Sequence, residues 1–225
     1  MNTILAIALI APAVIIAITF HEAAHGFVAY RLGDQTAFKR GRLTLNPLKH
    51  VDLFGTIILP AALYLLGTGF IFGYAKPVPV NFNALHHPRR DMVWVAAAGP
   101  AMNILLAIVS FLLIFPARLL GGSAEPVIEL ALFNSIAINL LLAIFNMLPL
   151  PPLDGGRVAV GLLPRPLAVP LAKLGRYGFL ILILLLIVLP DLAKRAGLNI
   201  DVFAWLVQRP LDAAMQWIHG AAGGG

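Results

Sequence analysis

An all-α polytopic membrane protein is the fold class that three observations predict, with about four to five transmembrane helices, a re-entrant or extended segment and a C-terminal interfacial helix. The chain of 225 residues is 60% hydrophobic and only 12% charged, with a mean hydropathy of +0.91. A soluble domain of that length needs far more polar surface. The apolar residues gather in five stretches, 3–30, 53–72, 92–115, 127–148 and 168–189, each near or above the roughly 20 residues that cross a bilayer. The basic residues sit in the linkers between them, as in the cytoplasmic loops of membrane proteins. The formal charge of +6 therefore points to topology and a lipid bilayer, and no nucleic-acid partner is expected. Cysteine is absent, which leaves His, Asp and Glu to hold any metal. With no long polar stretch, residues 1–220 read as one membrane-embedded domain and 221–225 as a disordered tail.

The first stretch has no Lys or Arg ahead of it and runs straight into a polar motif, so it reads as a permanent span and not a signal peptide. The linker from Arg31 to Asp52 carries Arg31, Lys39, Arg40, Arg42 and Lys49, and its alternation over Phe38 to Leu45 predicts a small hairpin. The 53–72 stretch is interrupted by Gly55, Pro60, Gly67 and Gly69. After it, Lys76-Pro77-Val78-Pro79-Val80 is extended by its prolines, and extended backbone at membrane depth requires protein or a water-filled cavity around it. His50, His86 and His87 lie in basic loops and read as solvated, while Arg89-Arg90 reads as a topology signal. The linker at 148–166 is Pro-rich and holds Arg157 and Arg165; the one at 117–126 is short and Gly-rich. Beyond Asp191, Lys194 and Arg195, the amphipathic stretch from Val202 to Ile218, with Trp205 and Trp217, is expected at the interface.

The chemistry begins at the end of the first stretch, where the chain reads His21-Glu22-Ala23-Ala24-His25. Residues i and i+4 share one helix face, so both imidazoles can reach one ion. Glu22 lies off that face, where it can touch a water on the ion rather than the ion. The linker Asn146-Met147-Leu148-Pro149-Leu150-Pro151-Pro152-Leu153-Asp154-Gly155-Gly156 presents a lone carboxylate on a rigid apolar turn. A hydrolytic zinc site needs three protein ligands and an open position for water, and His21, His25 and Asp154 meet that count. Glu22 would then take the water's proton and pass it to the leaving amine.

Three motifs in this order resemble the site-2 protease family of intramembrane zinc metalloproteases: Phe20-His21-Glu22-Ala23-Ala24-His25-Gly26, Gly99-Pro100-Ala101-Met102-Asn103, and Asn146 through Gly156. The resemblance spans about residues 15 to 160. It implies one zinc on His21, His25 and Asp154, Glu22 as acid/base, and cleavage of peptide bonds within or beside the transmembrane helices of single-pass membrane proteins. It further implies that Asn103 and Asn146 orient substrate or stabilise the oxyanion. Their own setting leaves other roles open: a hydrogen-bonded amide beside a close helix contact at Gly99 for Asn103, and helix C-capping for Asn146. The segment Lys76–Val80 looks like the family's membrane-embedded strand region, which pairs with an unwound substrate. The chain lacks the PDZ and CBS domains of larger members and is similar to the minimal prokaryotic branch, which implies a location in the cell membrane. The competing class is a zinc-binding transporter or sensor using the same ligands. A transporter has no need of Glu22, and its site should lie on a through-path near the midplane.

His25 and Asp154 can share an ion only if an even number of crossings separates them. Three stretches intervene, so one should fail to cross. The broken 53–72 stretch is the candidate, which would put the site on the cytoplasmic side. Nothing in the sequence fixes an oligomeric state.

Overall fold

The computed structural model describes residues 3–65, 76–198 and 200–223, and among them there are helices and no strands. Four helices are long and apolar enough to cross a membrane: Ala8–Arg31, Pro88–Leu120, Gly122–Asn146 and Arg165–Arg195. The first three fall on α1 (Thr3–Arg31), α4 (Pro88–Leu120) and α5 (Glu125–Asn146). In lipid each backbone amide must be satisfied within its own segment, which makes these runs helical despite Pro12, Pro100 and Pro116.

Side-chain size decides how the spans pack. The buried residues are small, among them Ala17, Ala23, Ala24, Ala96, Ala107 and Ala143, while Ile15, Ile16, Ile108, Leu112 and Leu113 face outward. Hydrocarbon solvates leucine as well as a protein interior does, so close backbone approach and hydrogen bonds, rather than burial of large residues, hold such helices together. Helices α1, α4 and α5 each touch the other two. The fourth span is assembled from α7 (Arg165–Leu174), α8 (Gly178–Ile183), a π-helical turn (Leu184–Val188) and α9 (Leu189–Arg195). Only 6% of its most apolar window is buried, against 39% in the first span.

Between the metal motifs, α4 and α5 are the full-length spans among the described residues, so the chain returns to the end it left. The 53–72 stretch is helical where it is described, a π-helical turn (Leu53–Ile58) followed by α3 (Leu59–Leu65). Its remainder, 66–72, lies outside the described residues. The hairpin expected over Phe38 to Leu45 does not form. Asp34 accepts the backbone N–H and the hydroxyl of Thr36, which starts the helical turn α2 (Thr36–Lys39), and Gly41 at φ +62° then reverses the chain. At the other terminus, a π-helical turn (Ala204–Gln208) leads into α10 (Arg209–Ala221), with Trp205 and Trp217 exposed. The face bearing Met215 and Ile218 packs towards Phe133 and Ile136 of α5, with the His219 and Phe133 rings stacked 4.3 Å apart. The disordered tail was expected from 221, yet Ala221 ends α10 and Ala222 is buried, its carbonyl accepting from Arg118.

Candidate metal centre

His21 and His25 lie one turn apart on α1 and are both buried. Asp154, also buried, opens the short helix α6 (Asp154–Leu162). The turn that delivers it folds back on itself: a Cβ on Gly155 would lie 2.2 Å from the Met147 carbonyl oxygen, and one on Gly156 2.2 Å from the Pro151 nitrogen. Only hydrogen fits at either place, which explains the paired glycines after the aspartate.

The three groups converge closely. His21 Nε2 is 3.1 Å from Asp154 Oδ2, His25 Nε2 is 3.3 Å from the same oxygen, and the two Nε2 atoms are 3.1 Å apart. Ligands held about 2.1 Å from an ion at tetrahedral angles lie about 3.4 Å from one another, so this spacing suits zinc. The ring hydrogens point elsewhere. His21 Nδ1 donates to Asn103 Oδ1 at 2.6 Å and His25 Nδ1 donates to the Val95 carbonyl at 2.7 Å. Because those oxygens only accept, each neutral ring carries its proton on Nδ1 and leaves Nε2 bare. Three lone-pair atoms therefore face one another in a buried space without a hydrogen among them, and a cation is what that donor set fits. Among the described residues it is the group of this kind found.

The rear wall is α4. A Cβ on Gly99 would sit 2.5 Å from His25 Nε2 and 2.6 Å from His21 Nε2, so the histidines can lie against α4 only at a glycine. Beside the centre, the half-exposed Arg157 has Nη1 3.8 Å from Asp154 Oδ1, with its guanidinium carbon 5.4 Å from the centre of the Phe82 ring.

Glu22 is half-buried, and its Oε2 accepts the Val78 N–H at 2.8 Å. That bond is one of several that pin the proline-bound segment expected to be extended. Lys76 donates its N–H to the His50 carbonyl and accepts from Arg42 Nη2, both at 2.8 Å, and the Asn81 N–H donates to Asp34 Oδ2 at 2.7 Å. Asp34 thus holds both the α2 turn and the far end of this segment. Its one sequence cue is the Gly33-Asp34 pair, a turn signal.

Of the two roles left open for Asn103, the structure shows the hydrogen-bonded amide. Asn103 is not at an open face: it is wholly buried behind His21, its oxygen taken by that ring and its Nδ2 donating to the Ala17 carbonyl and Asn139 Oδ1. Both of its N–H donors are spent inside the protein, and burial shuts its oxygen off from a substrate. Asn146 turns its Nδ2 back to the Leu142 carbonyl of its own helix at 3.0 Å, and the C-capping position is Met147. His50 is not a solvated loop residue. It is 2% exposed and bonds the Thr44 carbonyl through Nε2, whereas His86 and His87 are exposed as expected.

The sequence pattern of peptidase family M50 matches residues 119–189. YwhC of Bacillus subtilis, named as a zinc metalloprotease, is 42% identical over 177 residues, covering 77% of either chain. Rip2 of Mycolicibacterium smegmatis, likewise named, is 33% identical over 177 residues, 77% of this chain and 64% of its own. MJ0611 of Methanocaldococcus jannaschii, with the same description, is 33% identical over 141 residues, 62% of each chain. No solved structure matches the chain.

Proposed function

Since the chain belongs to peptidase family M50 and is, with its relatives, a zinc metalloprotease, we propose that it cuts peptide bonds within or beside transmembrane segments of single-pass membrane proteins. The observation that carries this reading is the cluster of three bare acceptor atoms, 3.1 to 3.3 Å apart, at the end of an apolar three-helix core. His21, His25 and Asp154 would hold the ion. When bound, zinc supplies Lewis acidity and lowers the pKa of a water to about 7.

The rest is done by the chain's own groups. Glu22 takes the proton of the attacking water at its carboxylate and returns it to the departing amine nitrogen, so it ends the cycle as it began. The same carboxylate holds the Val78 N–H, which ties the proton carrier to the segment against which a substrate would lie. Among the described residues nothing pairs with the carbonyls of Pro77, Val78 and Pro79, and an unwound substrate strand could donate to them. Unwinding is needed because a peptide bond inside a helix is screened by its own turns.

The cytoplasmic face is the proposed side of the site. Arg31, Arg89, Arg90 and Arg165 stand at the ends of their spans that adjoin the metal motifs, with Lys39, Arg40, Arg42, Lys49 and Arg157 in the linkers beside them, whereas Arg118, Lys194 and Arg195 stand at the opposite ends with Glu125 and Glu129. This bias is what the positive-inside rule requires of a cytoplasmic face.

The test is Glu22→Gln in cells, with membrane-protein fragments compared between wild type and variant and zinc measured on the purified proteins. The expected result is loss of fragments with about one zinc per chain retained. Cleavage at the wild-type rate in Glu22→Gln would refute the assigned proton carrier.

A further inference from the structure

The metal centre uses His21, His25, Asp154 and Glu22, but a line of polar side chains inside the bundle has no part in it. Ser110 on α4 and Ser135 and Asn139 on α5 are polar residues within largely apolar spans, and Asn139 is 1% exposed. The hydroxyl oxygens of Ser110 and Ser135 are 2.9 Å apart. Asn139 Nδ2 donates to the Ser135 carbonyl one turn back at 2.9 Å, and Asn139 Oδ1 accepts from Asn103 Nδ2 at 2.9 Å. Asn103 Nδ2 also donates to the Ala17 carbonyl at 3.2 Å, while Asn103 Oδ1 accepts from His21 Nδ1 at 2.6 Å.

The polarity of this chain is forced from its ends. The carbonyls of Ser135 and Ala17 can only accept, so the amide nitrogen of each asparagine must face them. Asn139 then shows its oxygen to Asn103, and Asn103 shows its oxygen to His21. That arrangement puts the His21 proton on Nδ1 and keeps Nε2 bare. If the Asn103 amide were reversed, its NH₂ would meet Nδ1, the ring proton would move to Nε2, and His21 would lose its metal-facing lone pair.

We propose that Asn139 is a positioning residue for the metal centre: through Asn103 it holds His21 in the one tautomer that can bind zinc. The proposal rests on the zinc-protease reading above. Hydrogen-bond partners behind a metal-bound histidine set its tautomer and orientation, and their loss typically lowers metal affinity about 10- to 100-fold. Here the partner's partner inherits part of that role, because a buried amide has no water with which to replace a lost bond. A plain helix-to-helix hydrogen bond between α4 and α5 would also explain the contact, and the test separates the two.

Zinc affinity is measured by chelator competition on the full chain in detergent, for wild type, Asn139→Leu, Asn139→Asp and Ser110→Ala. Asn139→Leu should weaken zinc binding about tenfold, the low end of the loss for a direct histidine partner because the Ala17 carbonyl still holds the Asn103 amide, and shift the visible absorption of the cobalt-loaded protein. Buried in the bundle, Asn139→Asp is held as the neutral acid, whose O–H can donate to the Ser135 carbonyl while its C=O faces Asn103, so it should stay within about threefold of wild type, as should Ser110→Ala, which leaves the amide polarity intact. If Asn139→Leu does not fold, Asn139→Ala takes its place in the comparison. Unchanged zinc affinity in a folded Asn139→Leu overturns the proposal. An Asn139→Asp protein as weak as Asn139→Leu does the same, since packing would then account for both. Absence of zinc from carefully prepared wild type would instead strike the metal centre itself.

Discussion

The first three long spans and the fourth share length and hydropathy, yet they are built on opposite terms. Helices α1, α4 and α5 press small residues together and lock a polar chain between them, ending at the metal ligands. The span from Arg165 to Arg195 has few buried residues; it touches α6 through α7 and comes closest to the Asp154 turn at Gly178, where a Cβ would lie 2.1 Å from the Pro151 carbonyl oxygen. Hydropathy thus tells that a helix can live in lipid, but not whether it is committed to its neighbours. In this molecule the committed helices carry the chemistry.

Three substitutions would break or sharpen that contrast. Gly99→Ala should have the largest effect, because its new methyl must displace both imidazoles from the rigid backbone of α4. Elemental analysis should find zinc well below one per chain, and a full complement would mean that the rear wall yields. Gly178→Ala should act less on the metal. Its methyl pushes on the turn three residues before Asp154, with a cost of about 1–3 kcal/mol seen as a lower melting temperature and somewhat weaker zinc retention. If it abolished zinc as completely as Gly99→Ala, the fourth span would belong with the other three. Leu184→Ala, on the outward surface of that span, should change stability by no more than about 0.5 kcal/mol and leave zinc untouched. A large loss there would reveal a packing partner for this face.

The legible part of the molecule was whatever one short stretch of chain determines. The spacing of His21 and His25, the proline stop before Asp154, and the long apolar runs all have local causes, and all appear where the sequence put them. What it hid depends on how helices register against one another. Asn103 could be a substrate contact or a hydrogen-bonded amide until its bonds to three neighbours from α1 and α5 are seen. Asn139 carries no signal of its own, because nothing in α5 says that it lies level with Asn103. His50 and Asp34 were similarly obscured: both sit in polar linkers where exposure is the ordinary expectation, and their burial follows from the proline segment folding back over them. The hairpin expected near Phe38 failed for a local reason, since the Asp34 carboxylate offers Thr36 a helical start that alternation alone does not weigh.

The sealed back of the centre has a consequence for anything that would inhibit it. Behind the histidines stand the Val95 carbonyl and Asn103, and Gly99 lies against their Nε2 atoms, so protein closes the bundle side of the centre. On the flank, Glu22 holds the Val78 N–H and Arg157 lies 3.8 Å from Asp154, so an inhibitor that binds there meets one anionic and one cationic side chain. A metal-binding head that also carries an N–H for the Glu22 carboxylate and an anionic group for Arg157 would address all three at once. Chelators without those two features must compete with water alone, and selectivity among related proteases would then rest on the flank rather than on the ion.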